Sequence, residues 1–149
     1  MAAGIITSGP SRRLGRSVAA VLAGMLAIVV LDNAIDFILH GTGVYPPLFQ
    51  TMADSLFLLA LAYRAVDAVI GCSITAYLAP RRPLAHTLTL GSIGVFLSSL
   101  GVLATLSGGP EFGPLWYPLA LVAISLPCAY IAGRLVGDRQ ESAEVAVLA

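Results

Sequence analysis

The sequence predicts an all-α protein, a four-transmembrane-helix antiparallel bundle with both termini in the cytoplasm. Of its 149 residues, 58% are hydrophobic and only 11% are charged, whereas soluble domains average about 25% charged residues. The apolar residues gather in four stretches that are each long enough to cross a bilayer, which takes about 20 residues of helix. The basic residues, in contrast, fall almost entirely at one end of these stretches.

The predicted spans cover about 17–39, 54–79, 85–107 and 115–136. They must be helices, because a helix satisfies its own backbone groups in lipid and because transmembrane barrel strands are only about 9–11 residues long. We therefore expect residues 1–149 to form a single integral membrane domain. The tails, 1–10 and 138–149, are expected to be mobile.

Glycine and proline mark the connections between the spans, at 41–47, 80–83 and 108–114. The second connection, Pro80-Arg81-Arg82-Pro83, is so short that spans two and three must be antiparallel neighbours.

The orientation follows from the arginines, since the chain contains eight arginines and no lysine. Seven of them precede span one, lie between spans two and three, or flank the end of span four: Arg12, Arg13, Arg16, Arg81, Arg82, Arg134 and Arg139. The positive-inside rule then places both termini in the cytoplasm. Eight acidic residues balance the arginines, so there is no basic field to attract nucleic acid.

Polar residues inside the first two spans form the candidate site. The polar residues of span one lie within an arc of about 100° on a helical wheel. The polar residues of span two lie within a similar arc. This predicted polar cluster comprises Asp32, Asn33, Asp36, His40, Arg64 and Asp67.

Depth along the helices suggests how the cluster pairs. With a rise of about 1.5 Å per residue, Arg64 lies near the midplane. Its side chain leans toward the start of span two, and hence toward the level of Asp32. We expect an ion pair between Arg64 and Asp32, with Asp67 as a second partner one turn away.

Two interpretations of this cluster remain open. In the first, the charges only hold span one against span two. In the second, three aspartates facing one arginine leave a buried carboxyl that holds a proton, as proton-coupled transport requires.

Span three carries a stripe of small residues of the kind that lets another helix approach closely. It consists of Gly91, Gly94, Ser98, Gly101 and Thr105. Its partner helix is expected either in the same chain or in a second copy.

The sequence contains no motif of a catalytic or nucleotide-binding site, so we expect no enzyme, no catalytic residue and no cofactor. His40 and His86 fall at opposite membrane faces, which excludes a metal site built from both. Cys72 and Cys128 are isolated in apolar segments and are expected to be small core residues.

Two segments, Tyr77-Leu78-Ala79-Pro80-Arg81-Arg82-Pro83 and Trp116-Tyr117-Pro118-Leu119-Ala120, resemble those of small, uncharacterised four-span membrane proteins of bacteria. The resemblance implies an inner-membrane location and carries no activity. Length and span number are also similar to those of small multidrug transporters, which act as dimers around a glutamate in their first helix. This chain departs from that pattern, because none of its spans contains a glutamate.

We therefore expect a multi-pass integral membrane protein of structural or regulatory type. The alternative is a small proton- or cation-coupled transporter that acts as a homo-oligomer through its membrane-embedded Asp and Arg residues. The expected partners are the lipid bilayer and either a second copy of the chain or another membrane protein.

Overall fold

The computed structural model describes residues 10–47, 50–108 and 113–148, which contain four α-helices and no strand. The helices are α1 (Pro10–Gly41), α2 (Asp54–Leu78), α3 (Pro83–Gly108) and α4 (Trp116–Leu148). Each contains a stretch that is long and apolar enough to cross a membrane. The predicted fold class is confirmed: this is an all-helical, multi-pass membrane protein.

The predicted spans agree with the helices to within two residues, except at the start of α1, which begins at Pro10 rather than at residue 17, and at the carboxyl end. There α4 continues to Leu148, so the segment that we expected to be a mobile tail after span four is helical up to that residue. The expected tail at the other end, residues 1–10, lies outside the described residues except for Pro10.

Neighbouring helices run antiparallel. Gly91 of α3 faces Ala129 of α4, whereas Gly101, which comes later in α3, faces Pro118, which comes earlier in α4. The two helices therefore run in opposite directions. In the same way Gly24 of α1 lies against Thr75 of α2, and Asp36 lies against Tyr63. The bundle therefore has two distinct ends.

We call one of them the two-loop end, because the α1–α2 and α3–α4 connections lie there. The opposite end carries the short α2–α3 turn, in which Arg82 adopts a positive φ of 51°. Exposed arginines gather at this turn end: Arg16, Arg81, Arg82, Arg134 and Arg139. The sequence predicted that these arginines lie at one end of the spans, and the fold brings all five to the turn end.

Helix α2 is the centre of the bundle, since it packs against each of the other three helices. Helix α1 is peripheral: it packs mainly on α2, less on α3, and nowhere on α4 within the described residues. The buried core is small, built around Cys72, Leu90, Ala129 and Ala132. Large apolar side chains are exposed on all four helices, as expected for a surface that faces lipid.

Candidate functional site

The centre of the candidate site is the Arg64 guanidinium, which joins α2 to α1 near the two-loop end. Its Nη1 lies 3.2 Å from Asp32 Oδ2, and its Nη2 lies 2.8 Å from Asp36 Oδ2. The Tyr63 hydroxyl donates a hydrogen bond to the other oxygen of Asp36. We call these four residues the Arg64 network.

The expected ion pair between Arg64 and Asp32 is therefore present, but the expected second partner was wrong. The second carboxylate is Asp36, one turn closer to the two-loop end, because the long Arg64 side chain leans toward the start of α2. Asp67 forms no ion pair with Arg64.

Asp67 is instead buried in the packed interior, where its side chain is only 2% exposed. Its Oδ2 has no hydrogen-bond partner, and neither does Asp32 Oδ1. These two unpaired oxygens are costly, because a buried polar atom without a hydrogen bond has lost its contact with water and gained nothing in return.

Two members of the predicted cluster lie apart from this network. Asn33 is exposed, and its amide donates a hydrogen bond of 2.7 Å to the Val29 carbonyl of its own helix. It follows Asp32 by about 100° around α1, which turns it away from α2. His40 bonds through Nδ1 to the Asp36 carbonyl at 2.9 Å and meets Tyr45 edge-on.

Tyr45 fixes the connection that follows α1. It is 4% exposed, its backbone N–H donates to the Leu39 carbonyl at 3.0 Å, and its hydroxyl donates to the Leu56 carbonyl of α2 at 3.3 Å. Burial raises the pKa of this hydroxyl, which keeps it a donor over a wide pH range. His40 and Tyr45 therefore anchor the two-loop end of the α1–α2 hairpin.

Sequence reasoning missed Tyr63. A signal was available, because Tyr63 precedes Asp67 and Gly71 by four and eight residues, which is the spacing of one helix face. The neighbouring charged residue Arg64 was the stronger signal, and the polar face of span two was assigned from it without including Tyr63.

The small-residue stripe of α3 finds its partner within the chain. A Cβ placed on Gly91 would lie 2.6 Å from the Ala129 Cβ, and one on Gly94 would lie 3.3 Å from Ser125 Oγ. Gly101 meets Pro118 at a more ordinary distance. The glycines of the stripe therefore allow α4 to pack closely against α3.

The same stripe also lines a cavity of about 470 Å³, and its Ser98 and Thr105 lie in that wall. The cavity lies between α1 and α3, with α2 and α4 behind it, and it opens at the side of the bundle. We call it the α1–α3 cleft. Asp32 and Arg64 lie in its wall, so the cleft and the Arg64 network form one continuous site.

Three further features concern metals, cysteines and the aromatic residues near the two-loop end. Among the residues that the structure describes, no three His, Cys, Asp or Glu side chains are grouped so that they could hold a metal ion. Cys72 and Cys128 are free and buried, which agrees with the predicted core positions. Phe57, Trp116 and Tyr117 contact one another through edge-to-face and tilted ring pairs where α2 meets the start of α4.

Comparison of the chain with protein-family models, with curated proteins and with solved structures gave no match. The function of the protein is therefore inferred from the geometry of the site.

Proposed function

We propose that this multi-pass membrane protein is of structural or regulatory type, is not an enzyme, and resides in the inner membrane of a bacterial cell. The observation that supports the proposal is the double ion pair of Arg64. One guanidinium bridges two carboxylates on successive turns of α1, and this geometry holds a peripheral helix in one position against α2. A stable surface of this kind is what a subunit needs in order to pack against another membrane protein or a second copy.

The structural role of the double ion pair is tested by comparing a variant that lacks one of the three charges with a variant that lacks all three. We expect Arg64→Ala to lower the yield of folded protein sharply, because it leaves two carboxylates inside the membrane without their cation. Replacing the three charged residues together, by Asp32→Asn, Asp36→Asn and Arg64→Leu, should restore the yield. Gel filtration in mild detergent measures the yield. A triple variant that is as poorly folded as Arg64→Ala would overturn the structural role.

The proposed orientation places both termini in the cytoplasm, since the exposed arginines gather at the turn end, where α1 begins and α4 ends. Fusions at the carboxyl terminus test it. We expect a fused fluorescent protein to be bright and a fused periplasmic phosphatase to be inactive, and the opposite pattern would reverse the orientation.

A second candidate function is a small proton- or cation-coupled transporter that acts as a homo-oligomer. The observation that favours it is the presence of two carboxyl oxygens, Asp32 Oδ1 and Asp67 Oδ2, that are buried without a hydrogen-bond partner, with Asp32 in the wall of the cleft. Carboxyl groups in such positions mark proton pathways in membrane proteins.

Proton flux in liposomes tests this candidate. We expect Asp67→Asn to abolish the flux while leaving the folded yield unchanged, whereas Asp54→Asn, at the exposed start of α2, serves as the matched control. Wild-type protein that gives no more flux than empty liposomes would eliminate the transporter.

A further inference from the structure

The α1–α3 cleft is a wedge with one closed end. Near the turn end the two helices touch, because a Cβ placed on Gly24 of α1 would lie 3.1 Å from Leu90 of α3. From that point toward the two-loop end the cleft walls run from Met25 to Asp32 on α1 and from Leu90 to Thr105 on α3. A molecule can therefore enter from the side, at the level of the bilayer interior.

The walls of the cleft are mostly apolar, and two of their hydroxyl groups already bond to backbone carbonyls. Ser125 donates to the Leu121 carbonyl at 2.6 Å, and Thr105 donates to the Gly101 carbonyl at 3.0 Å. The volume of about 470 Å³ falls within the range of about 300–1,000 Å³ that is typical of small-molecule sites. These properties suit the apolar body of a small ligand.

Charge decides what the polar part of that ligand must be. Asp32, Asp36 and Asp67 face a single cation, Arg64, so the group is negative by two charges when all three are ionised. One proton bound anywhere in this group still leaves one negative charge. Because the surroundings have a low dielectric constant, this charge attracts a cation and repels an anion over the length of the cleft.

Tyr117 adds to the preference for a cation. Tyr117 lines the same cleft as Asp32 and Arg64, and aromatic rings attract cations through the negative charge on their faces.

We propose that the α1–α3 cleft binds an amphipathic organic cation, which enters from the bilayer and places its charged group beside Asp32. The apolar body lies between Ile28 of α1 and Leu97 of α3, toward the closed end of the wedge. This binding depends neither on a structural role for the Arg64 network nor on proton transport.

Two ions of the same shape and opposite charge test the proposal directly. The protein in nanodiscs of zwitterionic lipid is titrated in separate experiments with tetraphenylphosphonium and with tetraphenylborate, and the signal of empty nanodiscs is subtracted. We expect saturable binding of the cation and none of the anion. Equal binding of both ions, binding of the anion alone, or binding of neither would overturn the proposal.

A pair of neutralising variants then locates the charge that matters. Asp32→Asn and Asp36→Asn each remove one negative charge and one ion pair of Arg64, but only Asp32 lines the cleft. We expect Asp32→Asn to weaken binding of tetraphenylphosphonium at least about tenfold, since it removes the direct partner of the cation. The effect of Asp36→Asn should be clearly smaller, and equal losses would contradict the placement.

A variant that fills the cleft keeps the test valid if Asp32→Asn fails to fold. Ala104 is exposed on α3 and lines the cleft, whereas Ala123 is exposed on α4 and does not. We expect Ala104→Phe to abolish binding and Ala123→Phe to leave it unchanged. Binding that survives Ala104→Phe would place the ligand elsewhere. Efficient disulfide cross-linking of two Ala104→Cys chains would show a second copy in the cleft, and would also overturn the proposal.

Discussion

The α1–α2 hairpin is closely packed only toward the turn end, where Gly24 meets Gly71, and is joined by charged side chains in its two-loop half, whereas the α3–α4 hairpin is joined along its length by small residues. In the first, Arg64 spans the gap between the helices to reach Asp32 and Asp36. In the second, Gly91 brings the backbones so close that no added side-chain atom fits. Charged contacts in a membrane change with protonation and with bound ions, while close packing does not.

The difference assigns separate tasks to the two hairpins. Helices α3 and α4 form a closely packed half that also contacts α2. Helix α1 contacts the rest mainly through α2, and its polar contacts lie beside the open part of the cleft. A change of charge at Arg64 should therefore be felt in α1 and in the cleft, and not in the α3–α4 half.

The largest expected effect comes from obstructing the close-packed hairpin. In Gly91→Leu the new Cβ would meet the Ala129 Cβ at 2.6 Å and the Ser125 carbonyl oxygen at 3.2 Å. Because one of these atoms belongs to backbone, α4 must move away. We expect unfolding to become easier by about 3 kcal/mol, at the upper end of overpacking costs, as measured by thermal unfolding in detergent.

The matched control for this change is Gly101→Ala in the same stripe. Its Cβ would lie 3.6 Å from the Pro118 Cβ, which is an ordinary contact, so stability should hardly change. If both variants unfolded alike, the stripe would not be the surface that joins α3 to α4.

A smaller loss of stability is expected when the α1–α2 hairpin keeps a cation at position 64 but loses the two-pronged contact of the guanidinium. In Arg64→Lys one ammonium replaces two guanidinium nitrogens that each reach a different carboxylate. Only one of these contacts can be retained, and a hydrogen bond to a charged group contributes about 1.5–3 kcal/mol. We expect the unfolding free energy to fall by about 2 kcal/mol.

The control for that change is Arg134→Lys, at an exposed position of α4, which should not alter stability. A wild-type value for Arg64→Lys would mean that one ion pair is enough to hold α1, and the comparison of the two hairpins would lose its basis.

Removing the neutral donor of the Arg64 network should have a lesser effect. Tyr63→Phe deletes the hydroxyl that donates to Asp36 and leaves both ion pairs of Arg64 in place. We expect a loss of about 1 kcal/mol in unfolding free energy. Tyr130→Phe, at a side chain that is 50% exposed, should cause no loss. Equal values for the two variants would remove Tyr63 from the network.

The sequence was sufficient to predict the four helices because their apolar length is a local property of the chain. It also predicted that Arg64 meets Asp32, since depth can be counted along each helix. The rotation of the helices could not be counted in this way. A few tens of degrees decided that Asn33 faces away from α2, that Asp36 rather than Asp67 is the second partner, and that Tyr63 joins them.

The α1–α3 cleft could not be predicted for a related reason. Its walls contain the small-residue stripe that the sequence indicated, but its existence depends on how far α1 diverges from α3. Helices α1 and α3 touch where Gly24 meets Leu90, and beyond this contact, toward the two-loop end, the cleft separates them. Contacts between helices that are distant in the chain carry no signal in the pattern of a single helix.

The smallest expected effect concerns the anchor of the α1–α2 hairpin at the two-loop end. Tyr45→Phe removes one hydrogen bond, of 3.3 Å, to the Leu56 carbonyl. We expect a loss of about 0.5 kcal/mol in unfolding free energy near neutral pH, with Tyr77→Phe, at a side chain that is 56% exposed, as the control.

This effect should depend on pH in one direction. Burial raises the pKa of Tyr45 in the folded protein above its ordinary value of 10.0, so the unfolded chain loses this proton first as the pH rises. The stabilisation by Tyr45 is therefore complete below about pH 10 and declines above it. Wild type should lose its advantage over Tyr45→Phe as the pH passes 10, while a gap that widened there would mean that the hydroxyl is not buried against α2.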